Sequence, residues 1–277
     1  MLFSNRIRLF WWNEKKLQNK SKENYGDLLS KYLVEKISNK TVVWARPSKG
    51  LLSNWISPTY LAIGSIIVHA ARNSIVWGSG IVSKEDDVKQ ATFLAVRGPQ
   101  TRDHLLKLGY TVPEVYGDPA ILLPDYYNPS IEKRYGIGII PHYSDYELVR
   151  GYYSKNSDIH LISLMTNDVE ETTNELLKCK RIVSSSLHGV IVAHAYGIPA
   201  VWQKFSNNLF GDDIKYKDYF ESVGIKPYDS DIKTQPLTKS EIDTLFEEKS
   251  SLPDMEQIHK LSKGLMKACP FKPDYIE

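Results

Sequence analysis

A chain of 277 residues with 42% hydrophobic and 25% charged residues has the composition of a soluble globular protein, long enough for two ordinary domains and for a core that needs no disulfide staple. A formal net charge of +2 excludes the basic surface of a nucleic-acid binder, and two isolated cysteines, Cys179 and Cys269, form neither a disulfide framework nor a metal cluster. The longest apolar run, Tyr60 to Ala71, falls short of the roughly 20 residues that cross a bilayer, and the N-terminus shows no secretory leader, so a cytoplasmic protein with no transmembrane segment is expected.

In chain order, strands and helices alternate. Arg6 to Trp12 reads as a strand. Asn24 to Ile37 carries Leu28, Leu29, Tyr32, Leu33 and Ile37 at helical spacing. The runs 41–45, 61–69 and 73–80 read as strands. Residues 92–110 read as strand, turn and helix, with Pro99 at the first helical position and Gly109 at the stop. Residues 112–124 suggest a strand broken by a Gly-Asp-Pro turn. The alternation pauses at Tyr126 to Lys133, the best linker candidate, and restarts with strands at 136–140 and 159–164, and at Ile182 and Val183. Helices capped by Ser144 with Glu147, and by Asn167 with Glu170, lie between them, and Ala200 to Trp202 forms a last strand. This pattern predicts two α/β units with parallel sheets, residues 1–128 and 129–277, the second ending in a helical tail. In such sheets ligands bind beyond the C-terminal strand ends.

The polar oddities sit at those ends. At 181–199, RIVSSSLHGVIVAHAYGIP, a strand runs into Ser184, Ser185 and Ser186, then Leu187, His188 and Gly189, then a helix that is apolar nearly all round. Free amides at a helix start, hydroxyls and an imidazole together suit an anion. The competing reading makes the serines caps and His188 a satisfied core histidine. His194, about 120° round the helix from His188 at 3.6 residues per turn, reads as structural and excludes a metal pair. Arg97 leaves a strand end, where its guanidinium can fork onto a carboxylate or phosphate, or make a surface ion pair. Asp118 in the GDPA turn is a candidate base, or a turn stabiliser. Asp27 opens a helix with Asn24, as a cap or as a contact to a substrate hydroxyl. His142 follows a strand, Gly80 sits in a glycine turn, and Lys217 lies in KYKDYF. The Asp229 to Asp231 carboxylates lie in the polar tail, away from strand ends, and no metal site is expected. Dinucleotide, P-loop and nucleophile-elbow motifs are absent.

In order, NYGD, GSG, RGPQT, YGDPAILLP, PHY, SSSLHGVIVAHAYGIP and KYKDYFESVG, spread over about Asn24 to Gly224, resemble the polysaccharide pyruvyl transferase family. The resemblance implies two Rossmann-like domains facing across a cleft, as in GT-B glycosyltransferases, with the acceptor on the N-terminal and the donor on the C-terminal side. It implies phosphoenolpyruvate as co-substrate with no further cofactor, and a sugar acceptor whose hydroxyls become a pyruvate ketal. If the acceptor is lipid-linked, the protein works at the inner face of the membrane. Several members carry a basic residue where this chain has Ser186, so another group must supply that charge: Arg97, His142 or Lys217. The resemblance gives His188 the donor and a general-acid role. Ser184, Ser185, Ser186, Leu187 and Gly189 line the donor, and Asp118 or Asp27 is the base or acceptor contact. A nucleotide-sugar glycosyltransferase and a non-catalytic anion-binding subunit of a polysaccharide assembly system are the alternatives.

Overall fold

Short apolar runs closed by small or polar residues become parallel strands when helices or long loops separate them. The computed structural model of the protein describes residues 6–47, 57–153, 158–208 and 210–272. From the N-terminus, β1 (Arg6–Phe10) is followed by α1 (Glu14–Gln18), the two-residue strand β2 (Glu23–Asn24) and α2 (Tyr25–Ser38). Next come β3 (Thr41–Trp44), β4 (Thr59–Leu61), β5 (Ser74–Trp77), β6 (Thr92–Ala95) and α3 (Pro99–Lys107). The five longer strands form a parallel sheet in the order β3-β1-β4-β5-β6. A 3-10 turn at Pro119–Leu122 and the single-turn helix α4 (Leu123–Tyr126) lead into the second half.

There the chain runs through β7 (Tyr135–Ile140), α5 (Tyr146–Tyr153), β8 (Ile159–Leu161), β9 (Met165–Thr166), α6 (Val169–Leu177), β10 (Cys179–Ser184), α7 (Leu187–Ala195) and β11 (Ala200–Trp202). Its sheet is also parallel, in the order β11-β10-β7-β8. Helices α8 (Ile214–Ser222), α9 (Lys239–Glu248) and α10 (Met255–Lys267) follow. The protein is thus a mixed α/β chain on parallel sheets, consistent with Rossmann-like folds. Among the described residues no helix is long and apolar enough to cross a membrane.

One hydrophobic cluster serves both halves. It takes in Leu29 and Leu33 of α2, Ala120 to Leu123, Leu176 of α6 and Val190 to Ala193 of α7. That position explains why α7 is apolar all round: it is covered on every side. Strands β2 and β9 pair antiparallel, Glu23 with Thr166 and Asn24 with Met165, and stitch the first half to the second. Nearby, the Tyr25 hydroxyl and Thr173 Oγ1 share a 2.8 Å hydrogen bond. The tail packs back as expected: Trp77 Nε1 donates to the Leu265 carbonyl of α10 at 2.9 Å, and Phe271 meets Tyr60 and Trp77 edge-on.

Local departures from the sequence reading have local causes. The apolar run expected as a strand over 61–69 leaves the sheet after Leu61, and its residues Ala62 and Ile63 are buried in a loop instead. The strand expected over 112–124 is reduced to a single bridge, Val96 to Tyr116, because Asp118 caps the 3-10 turn behind it. Asn24, not Asp27, caps α2 by accepting from the Gly26 amide. His142 accepts from the Ser144 amide at the turn before α5, and Asp168 caps α6.

Candidate functional site

The site begins where β7 and β10 end. Ser184 Oγ accepts from the Ser186 amide (3.0 Å) and lies 2.9 and 2.8 Å from the Ile140 and Ser186 carbonyls, so its hydroxyl is used in shaping the turn. Ser185 Oγ accepts from the His142 amide at 2.8 Å, and the Tyr216 hydroxyl holds the Ser185 carbonyl at 2.7 Å. Gly189 lets α7 settle onto β10, since a Cβ there would stand 2.4 Å from Ser184 Oγ. Ser186 is the N-cap residue of α7, yet no side chain caps the helix. Its first-turn amides, flanked by the buried Leu187, keep the partial positive charge that a helix start offers an anion.

His188 leans across to the first half. A Cβ on Gly26 would lie 2.0 Å from its Nδ1, so glycine at the start of α2 is what lets the imidazole in. Its Nε2 stands 3.7 Å from Asp118 Oδ2. Both atoms are buried and have no hydrogen-bond partner, while 12% of the His188 side chain stays exposed. The other Asp118 oxygen accepts from the Ala120 amide at 3.0 Å, which fixes the carboxylate. The two polar atoms are buried and face each other at ion-pair distance, without a hydrogen bond between them.

Charge surrounds this pair. Asp27, in the first turn of α2, is pushed up to about 7 by burial and by the Glu14 and Glu23 carboxylates, against the pull of His188 and Lys215. Burial, with Lys215 and Lys20 nearby, lowers His142 to about 4, so it is neutral at physiological pH; its Nδ1 meets Ser144 Oγ at 2.8 Å. Burial and the Arg97 charge lower Lys215 to about 8, and its Nζ donates to the Phe210 carbonyl at 3.2 Å. Sequence reasoning missed Lys215, Glu14 and Glu23. Lys215 lies two positions from the chosen Lys217, about 200° round the same helix, and the two lysines part company there.

The structure brings Ser185, Ser186, Leu187, His188, Gly189, Asp118, Asp27, Asn24 and His142 together. It gives other candidates different partners. Arg97 is fully buried, bonded through Nε to Asp218 (2.9 Å), Nη1 to Ser65 (2.6 Å) and Nη2 to the Ile81 carbonyl (2.7 Å). Gly80 is a glycine because the Arg97 guanidinium lies where a Cβ would be, at 2.5 Å. Lys217 turns to Asp229 at 2.7 Å. His194 is structural, held by the Tyr219 hydroxyl and the Ala200 and Ser251 carbonyls. Among the described residues no group of His, Cys, Asp and Glu is arranged to hold a metal.

The family profile for polysaccharide pyruvyl transferases matches residues 24–202, from the cap of α2 through β11. The chain belongs to that family. The span of this pyruvyl transferase profile contains Asp27, Asp118, His142 and His188, and leaves out Glu14, Glu23 and Lys215. Among curated proteins, the chain is 33% identical over 210 residues to uncharacterized protein L143 of Acanthamoeba polyphaga mimivirus, a match covering 73% of this chain and 72% of that one. It is 22% identical over 215 residues to the succinoglycan biosynthesis protein ExoV of Rhizobium meliloti, covering 73% of this chain and 62% of ExoV. No solved structure matches the chain.

Proposed function

We propose that the protein transfers the enolpyruvyl group of phosphoenolpyruvate to two hydroxyls of a saccharide, forming a pyruvate ketal and releasing phosphate. The observation that carries this is the uncapped start of α7 with His188 beside it, its Nε2 turned to the unpartnered Asp118 carboxylate. A small, heavily charged anion fits a helix start and an imidazole. On this reading the phosphate docks on the first-turn amides of α7, with Ser186 at its edge. Lys215, not Ser186, Arg97 or Lys217, supplies the second positive charge, because Arg97 and Lys217 have carboxylate partners of their own. Asp118 is a positioning residue that fixes one His188 nitrogen, so that the imidazole can trade a proton with the reacting groups, a role worth about 10²–10⁴-fold in rate.

The two parallel sheets are, on the same reading, the cores of two domains, 1–128 and 129–277, in a GT-B-like arrangement. The acceptor enters from the side of Asn24 and Asp27, and the donor sits on the second domain. The link to a succinoglycan biosynthesis protein supports a polysaccharide or its lipid-linked precursor as acceptor, with the enzyme on the cytoplasmic face of the membrane. The test is incubation with phosphoenolpyruvate and a panel of glycosides bearing free neighbouring or 4,6-hydroxyls, followed by mass spectrometry and a phosphate assay. A ketal adduct with equimolar phosphate is expected, reduced about 10²–10⁴-fold in His188→Gln. Wild-type rates in a folded His188→Gln would refute the role given to His188.

A further inference from the structure

Resting on that reading, we propose that Tyr216 is a positioning residue of the donor site: its hydroxyl and the Ser184 hydroxyl grip the Ser185–Ser186 peptide from both sides and so aim the first amides of α7 at the phosphate.

The turn before α7 leaves little of its backbone loose. The Ser185 amide donates to the Ile140 carbonyl at 3.0 Å, which seats the turn on the end of β7. The Ser185 carbonyl accepts from the Tyr216 hydroxyl at 2.7 Å, and the Ser186 amide donates to Ser184 Oγ at 3.0 Å. That carbonyl and that amide belong to one planar peptide group, so holding both ends fixes its rotation. The next amides, of Leu187, His188 and Gly189, find no backbone acceptor and no side-chain cap among the described residues. They are the orphan donors of a helix start, and their direction is set by the peptide before them. Asp118 marks the ligand end of the site independently. It is fully buried, and its unpartnered Oδ2 stands 3.7 Å from His188 Nε2 in that same first turn.

The surroundings of Tyr216 hold it to this role. It is fully buried near the start of α8, and its ring lies flat on Trp202, with centroids 4.1 Å apart and planes 10° apart. Trp202 ends β11 in register with Ser184 of β10, so the tyrosine is stacked one strand away from the peptide that it holds. Burial pushes its hydroxyl above the ordinary tyrosine range, which keeps it a donor at neutral pH. Two residues on, Asp218 binds Arg97 and the Thr101 amide and pins α8 to the first half. In KYKDYF, then, the residue between the two lysines has its own part in the donor site. The same helix carries a matched tyrosine. Tyr219 is also fully buried, and its hydroxyl meets His194 Nδ1 at 3.0 Å. His194 lies about 10 Å along α7 from its first residue at 1.5 Å per residue, far from the helix start.

The direct test needs no acceptor. Tyr216→Phe and Tyr219→Phe keep both rings and delete one buried hydroxyl each, and thermal melts verify that both variants fold. The full chain is titrated calorimetrically with phosphoenolpyruvate and, separately, with inorganic phosphate. Tyr216→Phe should weaken both ligands about fivefold or more, the effect of one lost hydrogen bond. Tyr219→Phe should bind both as the wild type does. In ligand-free protein the Leu187 and His188 amide resonances should move in Tyr216→Phe and stay in place in Tyr219→Phe. With an active acceptor in hand, Tyr216→Phe should raise KM for phosphoenolpyruvate and leave kcat nearly unchanged, the pattern of an interaction shared by ground and transition states. Wild-type affinity in Tyr216→Phe, or equal weakening in the two variants, overturns the proposal. A wild-type protein that binds phosphate with this dependence on Tyr216, but makes no ketal, counts against pyruvyl transfer and leaves the clamp standing. A wild-type protein that binds neither anion overturns both.

Discussion

Two strand-to-helix turns in this protein look alike and do opposite things. After β6, Arg97 precedes α3; after β10, Ser186 and His188 open α7. In the first, the guanidinium is fully buried, and Asp218, Ser65 and the Ile81 carbonyl bind all three of its nitrogens. Asp218 also takes the Thr101 amide and hydroxyl, so its carboxylate is equally saturated. In the second, the helix start has no side-chain cap, and His188 Nε2 faces Asp118 Oδ2 across 3.7 Å with neither bonded. A satisfied buried charge is architecture, tying α8 to α3. The pair at the start of α7 is buried without such bonds, and the proposed function assigns it the chemistry.

The largest expected effect breaks the first turn. Asp218→Ala strands the Arg97 charge, and removing one partner of a buried pair costs about 3–5 kcal/mol. Chemical denaturation should show that loss; a change under about 1 kcal/mol would mean that Arg97 is less sealed than its contacts indicate. Next comes a change that spares the fold and breaks the second turn. Alanine at a helix position ordinarily stabilises by about 1 kcal/mol over glycine. In Gly26→Ala, however, the new methyl would occupy the place of the His188 ring. The ring must swing away, so pyruvyl transfer should drop about 10²-fold, as for a catalytic group misplaced by about 1 Å. An active Gly26→Ala would show that the orientation of His188 is dispensable. The smallest effect sharpens the contrast between neighbours on α8. Lys215→Ala should raise the donor KM about tenfold, the loss of one charge-assisted contact of about 1.5 kcal/mol. Lys217→Ala, which removes an ion pair to an exposed Asp229, should leave it unchanged.

The same contrast marks what can be read from residues alone. The alternation of strands and helices is legible because it is a local pattern, and so is the SSSLHG turn, whose polar residues interrupt a strand and an apolar helix. Arg97 is not legible in this way. A basic residue at a strand end looks free until Asp218, 121 residues away, is folded against it. Lys215 and Lys217 are equivalent as letters, and only packing turns one to the Phe210 carbonyl and the other to Asp229. The Ala62 to Ile66 run is apolar enough for a strand. Burial alone does not make a strand, and this run is buried as a loop beside Ser30 and Ser79, whose hydroxyls take the Ile63 and Ile66 amides. Glu14 and Glu23 are buried acids in a polar stretch: Glu23 lies in β2, which pairs with β9, and Glu14 beside it donates its amide to the Glu23 carboxylate.

The most direct measurement is a crystal structure of the protein soaked with phosphoenolpyruvate. The phosphate should sit within hydrogen-bonding distance of the α7 first-turn amides, with His188 beside the enolpyruvyl group and Lys215 at its edge. Phosphoenolpyruvate found instead between Trp202, Lys233 and Lys249 beyond β11, with the start of α7 empty, would contradict the account.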